Sequence, residues 1–227
     1  MPPRRRIRAR PAMLFDSGPP EAMDTFYHER LWQGQGMARI AGVDEVGRGP
    51  LAGPVVAASV ILPDGCDHTR YVDSKKLGPE RCVDLHEELR ALGAAIGVGI
   101  VSPEGIDRLN ILQASLLAMR MAVENLPVAP DCLLVDGTFP VPLAMPQQPI
   151  VKGDARSASI AAASIVAKST RDALMREFHQ QYPQYHFDRN KGYPTADHRR
   201  AIALHGPCPL HRKTFAGVRE FVGATGA

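Results

Sequence analysis

The sequence has few cysteines, little excess charge and no long apolar run, and each of these shortages excludes a class of protein. Only four cysteines occur in 227 residues, and no two of them have Cys-x-x-Cys spacing. This excludes a zinc ribbon and a disulfide-stapled secreted domain, so we expect reduced thiols in a cytoplasmic protein. No apolar run approaches the roughly 20 residues that a membrane-spanning helix needs, so we expect no membrane partner.

The net charge is only +3 at pH 7, so any surface that binds a polyanion must be locally basic. Five arginines lie within the first ten residues, without the apolar segment of a secretory signal. We interpret residues 1–36 as a flexible basic extension, which could contact a phosphate backbone or be a solvated tail, with a short helix at Met23–Trp32. Residues 37–227 are predicted to form one α/β domain.

The segment from Ile40 to Ala57, IAGVDEVGRGPLAGPVVA, organises the rest of the chain. Its apolar start predicts a strand that leads to Asp44 and Glu45, followed by a glycine-rich turn and a second strand at Val55–Leu62. Adjacent strand residues point to opposite faces, so we expect the strand to end or bulge at the two acids. Ionised carboxylates there are costly without a cation nearby. The alternative to a metal site is a solvated turn that carries the two acids. A divalent metal site beside a phosphate-binding turn predicts a nuclease.

Further acids follow two later apolar strands, at Asp136 and Asp154, and ligand sites in α/β folds gather at strand ends. Asp154 could instead cap the following helix, and Asp136 could be a loop-entry residue. The remaining pattern predicts strands at Ala94–Val101, Asp131–Asp136 and Pro149–Lys152, and helices at Gly78–Leu92, Ile111–Glu124, Ser157–Gln180, Thr195–Leu204 and Thr214–Val222.

Several longer motifs occur in a fixed order, namely DEVGRGPLAGPVVAA from Asp44, DSKKL at 73–77, LLVDG at 133–137, KGDA at 152–155, AAASIVAKSTRD at 161–172 and NKGYPT at 190–195. Together they resemble the type 2 ribonuclease H family, bacterial ribonuclease HII, over about Ile40 to Phe215. The resemblance implies a ribonuclease H-like fold, with a central mixed five-stranded sheet flanked by helices and a C-terminal helical appendage. Thr214 replaces the serine common in the family and keeps its hydroxyl.

The resemblance implies an endoribonuclease that cleaves RNA in RNA–DNA hybrids and nicks 5′ of single ribonucleotides embedded in duplex DNA. Its products would carry 3′-hydroxyl and 5′-phosphate ends, and its task would lie in DNA replication and repair. The catalytic and metal-binding residues would be Asp44, Glu45, Asp136 and Asp154. Such an oxygen-only set favours two Mg²⁺ or Mn²⁺ ions over zinc.

The family's substrate contacts map onto the Gly47-Arg48-Gly49 turn, which would read the ribose 2′-OH, and onto Tyr193, which would pack on the next sugar. Phosphate contacts are expected at Ser74, Lys75, Lys168 and Lys191. The alternatives are a core-packed turn tyrosine and ordinary surface lysines. The segment from His186 to Lys213, in which Arg212 lies, is locally basic and predicts a duplex-binding face.

Two competing interpretations remain. The type 3 branch of the family carries an added N-terminal domain, for which about 36 residues before the first strand leave no room. A catalytically silent nucleic-acid-binding module is disfavoured because all four acids are present. We expect a monomer, with a sliding clamp as a candidate partner.

Overall fold

A computed structural model describes residues 24–71 and 77–223 and contains a five-stranded mixed sheet. The strands are β1 (Ile40–Val46), β2 (Val55–Ile61), β3 (Ala95–Val101), β4 (Cys132–Asp136) and β5 (Gln147–Ile150). Their order is β3-β2-β1-β4-β5. The first three strands pair antiparallel, whereas β4 runs parallel to β1 and β5 runs parallel to β4. The predicted five-stranded mixed sheet is confirmed.

Seven α-helices are present in the described residues: α1 (Tyr27–Gln33), α2 (Pro79–Ala91), α3 (Pro103–Leu109), α4 (Ile111–Glu124), α5 (Ala158–Gln181), α6 (Phe187–Asn190) and α7 (Ala196–His205). Side-chain caps start several of them, because a hydroxyl or amide oxygen satisfies an orphan N–H of the first turn. Ser102, Asn110, Ser157 and Thr195 do this for α3, α4, α5 and α7. The helices predicted from Ile111, Ser157 and Thr195 are confirmed within a few residues.

Helices cover both faces of the sheet and divide its core into two main layers. Helices α3 and α4 pack on the face that carries Val43 and Val135. Helices α2 and α5 pack on the face that carries Ala58 and Val60. The alanine-rich first half of α5 lies very close to the sheet, since a Cβ added at Gly42 of β1 would lie 2.0 Å from the carbonyl carbon of Ser159. This contact fixes α5 on β1.

Strand β1 continues unbroken through the two acids. Asp44 pairs with Ala58 and Glu45 pairs with Ala57 in one constant antiparallel register up to Val46. The expectation that the strand ends or bulges there is therefore wrong. The acids lie on opposite faces of a regular strand because the apolar residues of β2 continue the ladder beside them.

Helix α1 packs against the sheet, although its sequence falls within the segment expected to be a flexible extension. The buried Glu29 carboxylate accepts hydrogen bonds from the Ser157 hydroxyl at 2.6 Å and the Ser159 N–H at 3.0 Å. Trp32 packs beside Ile40 and donates its indole N–H to Gln148 at 3.0 Å. Packing of Trp32 on the domain is thus confirmed, and residues 1–23 lie outside the described residues.

A C-terminal unit packs on the far end of α5 and on the turn after β1. Its core contains Leu51, Met175, Phe187, Ile202 and Val218. The helix predicted at Thr214–Val222 is wrong: this stretch consists of turns and one 3₁₀ turn at Arg219–Phe221. Thr214 caps no helix, because its N–H and hydroxyl both hydrogen-bond Asp107.

All four cysteines are free thiols, which confirms the prediction that they form no disulfide. Among the described residues, no helix has the length and apolar character required to cross a membrane.

The tight approach of α5 to β1 predicts a large loss of stability for Gly42→Ala. The added methyl group would overlap the backbone at Ser159, so the helix must move, and we expect a cost of about 3 kcal/mol in chemical denaturation. Gly34→Ala is the matched control, because its Cβ would make ordinary contacts at 3.4 Å with a right-handed φ of −61°. Equal stabilities for the two variants would contradict the tight packing.

Candidate active site

Asp44 and Asp136 are neighbours at one end of the sheet. β1 and β4 stay in register up to Val43 and Val135, so the next residue on each strand is the acid, and both acids share the face covered by α5. Asp44 is 5% exposed. Asp136 Oδ1 accepts a hydrogen bond of 2.6 Å from the backbone N–H of Gly153. The structure thus brings two of the four predicted carboxylates together.

Glu45 faces the opposite side of β1, toward α4. It borders a cavity of about 250 Å³ that Asp136 also reaches, with walls that include Met119 and Phe139. Glu45 Oε1 lies 3.3 Å from the Arg48 guanidinium, whereas its buried Oε2 has no hydrogen-bond partner within the described residues. Asp136, at the end of β4, is therefore a neighbour of Asp44 on one face of β1 and borders the same cavity as Glu45 on the other face.

Electrostatic effects join these three acids. Burial raises the pKa of Asp44 well above its usual range, and the charges of Glu45 and Asp136 raise it further, while a hydrogen bond with Ser164 lowers it. Burial also raises the pKa of Glu45 to about 7, with Arg48 opposing and Asp136 adding to the shift. The folded protein consequently resists full ionisation of the cluster unless a cation is supplied.

Asp154 lies on a 3₁₀ turn, Gly153–Ala155, directly after the residue that contacts Asp136. Its side chain is 4% exposed. It does not cap α5, because Ser157 is the N-cap and accepts the N–H of Ile160. The alternative role as a helix cap is therefore excluded.

The donor set fits a hard divalent cation. It consists of carboxylate oxygens, one of which, Glu45 Oε2, is buried without a partner in the described chain, and two of its acids have raised pKa values. In residues 24–71 and 77–223, no three His, Cys, Asp or Glu side chains stand close enough together to form a ready metal cage. Asp44 and Glu45 are held on opposite strand faces, so side-chain movements are needed to complete the site.

The Gly47-Arg48-Gly49 turn is held from behind by the buried guanidinium of Arg212. This group donates to the carbonyl oxygens of Gly47 at 2.5 Å, Arg48 at 3.0 Å and Gly53 at 2.9 Å. In a planar trans peptide the C=O and the next N–H point in opposite directions. With the carbonyls of Gly47 and Arg48 directed inward, the N–H groups of Arg48 and Gly49 must point outward, toward solvent.

A second buried arginine, Arg171 of α5, joins the segment that follows this turn to the segment that carries Tyr193. It donates to the carbonyls of Ala52 at 3.1 Å, Pro54 at 3.0 Å and Lys191 at 3.0 Å. Gly47 must be glycine here, since its φ is +97° and a Cβ would lie 2.4 Å from Arg171 Nε. Burial lowers the pKa of Arg171, and it lowers that of Arg212 to about 9.

Tyr193 and the Gly-Arg-Gly turn meet across the site. A Cβ built on Gly49 would lie 3.8 Å from Tyr193 Cε1, and the tyrosine ring is 44% exposed. The core-packed alternative for Tyr193 is therefore excluded. The backbone of Gly192 contacts the segment that follows the turn, because its carbonyl accepts the N–H of Leu51 at 2.8 Å.

The predicted phosphate contacts divide into three groups. Lys168 pairs with Asp172 at 3.4 Å on α5. Lys191 donates its ammonium to the carbonyl of Asp188 and is partly buried. Ser74 and Lys75 lie outside the described residues. Arg212, counted above among the basic surface residues, is fully buried, so it cannot contribute to a duplex-binding face.

Sequence reasoning missed the supporting roles of Arg171 and Arg212. A signal existed for Arg171, because it follows Ala163 and Ala167 at four-residue spacing on the buried stripe of α5. Arg212 gave no such signal. It lies outside helices and strands, between His211 and Lys213, and a run of three basic residues is typical of a charged surface.

The chain is similar to known ribonucleases along most of its length. The family model described as Ribonuclease HII matches residues 41–218. A Ribonuclease HII of Geobacter sulfurreducens is 57% identical over 92% of this chain and 96% of its own. One from Desulfotalea psychrophila is 54% identical over 88% and 90%. The crystal structure of ribonuclease H2 from Pyrococcus horikoshii OT3 superposes with a TM-score of 0.69 at 25% identity, covering 81% and 97%.

Two more distant structures share the fold alone. Ribonuclease HII of Archaeoglobus fulgidus, solved as a complex with PCNA, has a TM-score of 0.67 at 24% identity and covers 78% of this chain and 95% of its own. Bst-RNase HIII in complex with Mn²⁺ has a TM-score of 0.67 at 18% identity, covering 83% and 70%. With the family model and the curated relatives in agreement, the chain belongs to the ribonuclease HII family and is a metal-dependent endoribonuclease.

Proposed function

We propose that this enzyme cleaves RNA within RNA–DNA hybrids and nicks on the 5′ side of single ribonucleotides embedded in duplex DNA, leaving 3′-hydroxyl and 5′-phosphate ends. One observation carries the proposal. The neighbouring acids Asp44 and Asp136 stand beside a turn whose N–H groups face outward and which meets an exposed tyrosine, Tyr193. Carboxylates suited to binding metal thus lie beside backbone N–H donors and an aromatic ring that are suited to binding a sugar.

The acids Asp44, Glu45, Asp136 and Asp154 are the proposed ligands of Mg²⁺ or Mn²⁺. When bound, two such ions supply an activated water and neutralise the 3′-oxygen that leaves. The protein's part is to hold these oxygens dry and close to one another. Burial of Asp44 and the hydrogen bond from Gly153 to Asp136 support this role.

The 2′-OH is the group that distinguishes RNA from DNA at a given site. We assign its recognition to the Gly47-Arg48-Gly49 backbone, since donors fixed by Arg212 lose little entropy on binding. Tyr193 would pack on the following sugar, where a flat ring accepts deoxyribose and resists an added hydroxyl. The exposed Arg48 guanidinium is placed to meet phosphate.

Phosphate contacts by Ser74, Lys75, Lys168 and Lys191 remain part of the proposal, as does a monomeric enzyme that starts the removal of misincorporated ribonucleotides. A sliding-clamp contact also stays a proposal. The similar Archaeoglobus fulgidus protein was solved with PCNA, but that likeness carries the fold only.

Metal binding should stabilise the protein in a pH-dependent way. Folding raises the pKa values of Asp44 and Glu45, so their favourable contribution is present below the unfolded pKa of about 4 and is lost as pH rises through the raised values, about 7 for Glu45. Millimolar Mg²⁺ should therefore raise the melting temperature more at pH 8 than at pH 5.

Asp44→Asn should stabilise the metal-free protein by about 1 kcal/mol at pH 8 and reduce the gain from Mg²⁺, because it removes one buried like charge. Asp197→Asn is the control, since Asp197 is an exposed acid on α7. A melting temperature indifferent to Mg²⁺, in the range where activity saturates, would contradict metal binding at these acids.

Cleavage is tested on end-labelled duplex DNA with one ribonucleotide, incubated with Mg²⁺ or Mn²⁺ and mapped to the nucleotide. The parent should nick on the 5′ side, and Asp136→Asn should lower the rate at least about a thousandfold, because a proposed metal ligand is lost. If the parent binds the junction but cuts neither this duplex nor a long hybrid, the silent binding module replaces the nuclease.

Tyr193→Ala should reduce kcat/KM at the single-ribonucleotide junction by about tenfold, the value of one ring stacked on a nucleotide, and should affect uniform RNA–DNA hybrids less. Tyr27→Ala is the matched control, because Tyr27 is 53% exposed and lies on α1, the helix whose Trp32 packs beside Ile40 at the start of β1. Equal losses on both substrates would remove Tyr193 from junction recognition.

A further inference from the structure

Beneath Tyr193 lies a pair of buried histidines that the proposed chemistry does not use. His198 of α7 and His211 are 0% and 1% exposed, and their Nε2 atoms are 3.0 Å apart. Two ring nitrogens at this distance form a hydrogen bond only when one carries a proton and the other does not, and two charged rings would repel each other. The aromatic rings of Tyr185 and Phe187 pack around the pair and exclude water.

The hydrogen bonds of the pair fix where each proton lies. The backbone N–H of Cys208 can only donate, and it points at His211 Nδ1 from 3.0 Å. His211 therefore carries its proton on Nε2 and donates it to Nε2 of His198. His198 must then be protonated on Nδ1, which donates to the carbonyl oxygen of Tyr193 at 2.9 Å.

Both rings are neutral in this arrangement, and an added proton would break it. A proton on His211 Nδ1 would face the N–H of Cys208, and one on His198 Nε2 would face the N–H of His211. Burial favours the neutral form, lowering the pKa of His198 and lowering that of His211 to about 4. The neighbouring titratable groups are the Cys208 thiol, 3.2 Å from Nδ1, and the Tyr185 phenol.

The hydrogen bonds of the histidine pair form a series that connects the two sides of the proposed substrate site. At one end, His198 holds the backbone of Tyr193. At the other, His211 forms a β-bridge with Ala52, and the next residue donates its N–H to the carbonyl of Leu51 at 2.8 Å. Ala52 and Leu51 continue the Gly47-Arg48-Gly49 turn. The histidine pair consequently spans the distance between the tyrosine and the turn.

We propose that His198 and His211 are positioning residues that set the gap between Tyr193 and the Gly-Arg-Gly turn through one fixed pair of neutral tautomers, and thereby tune discrimination at the RNA–DNA junction. This inference rests on the proposed function, since it assigns the support of that same substrate site. The pair contacts neither substrate nor metal in this scheme. Its effect is on the spacing of the groups that do.

Two substitutions at one position separate positioning from general stability. In His198→Asn the amide nitrogen stands about where Nδ1 stood and can still donate to Tyr193. In His198→Gln the amide reaches the place of Nε2, toward His211, and leaves the Tyr193 carbonyl without this donor. We expect kcat/KM at the single-ribonucleotide junction to fall about tenfold in the glutamine variant and to stay near the parent value in the asparagine variant.

Both variants lose the same ring, so they should have similar melting temperatures, and uniform RNA–DNA hybrids should be cleaved at similar rates. His205→Asn serves as the control, because His205 is an exposed residue at the end of the same helix. Nitrogen-15 NMR of the parent protein should show His198 protonated on Nδ1 and His211 on Nε2. This spectrum does not depend on whether any variant folds.

The opposite tautomers, or equal junction activity for the asparagine and glutamine variants, would overturn the positioning role. Failure of the proposed function has a different signature, because the parent itself would then show no preference for the junction over plain duplex DNA. A parent that nicks the junction while both variants match it would leave the function standing and remove this inference alone.

Discussion

The packing of α5 on β1 is the constraint on which the remaining structure depends. A 24-residue helix is about 36 Å long, and this one contacts several separate parts of the site along its length. It meets Gly42 of β1 at Ser159, supplies Ser164 to Asp44, and sends Arg171 into the turn after β1. The helix continues to Met175, in the core of the C-terminal unit. A shift of α5 would therefore move the acids and the proposed substrate-reading turn together.

Negatively and positively charged side chains lie on different sides of the Gly-Arg-Gly turn. Asp44, Glu45 and Asp136 crowd negative charge on one side of the Gly-Arg-Gly turn, while Arg171 and Arg212 are buried behind it. Within residues 24–71 and 77–223 neither arginine forms an ion pair, and both are solvated by backbone carbonyls. Burying cations in this way is costly. The bonds that Arg212 makes to the carbonyls of Gly47 and Arg48 direct these carbonyls inward, which leaves the opposite face of the turn rich in N–H donors.

The parts of the site that local sequence determines were predictable. Apolar runs that lead to Asp44 and Asp136 indicated strands with acids at their ends, and the glycines of the Gly47-Arg48-Gly49 segment marked the turn, in which Gly47 has a positive φ. Local pattern could not predict that β1 stays regular through both acids, because that depends on the ladder with β2. It also could not distinguish a buried from an exposed cation, so Arg212 read as surface charge. The His198–His211 contact could not be predicted either, because the two segments that carry these residues come together only when the C-terminal unit folds.

The buried residues that support the proposed substrate site hydrogen-bond to its backbone, and not to side chains that would recognise bases. Arg212 holds carbonyls of the turn, Arg171 ties the turn to the carbonyl of Lys191, and the histidine pair ends on the carbonyl of Tyr193. A site fixed in this way offers N–H groups and an aromatic ring, both of which suit sugar and phosphate and carry no donor–acceptor code for a base. A rigid frame of this kind can distinguish the presence of a 2′-hydroxyl from its absence while tolerating any sequence around it.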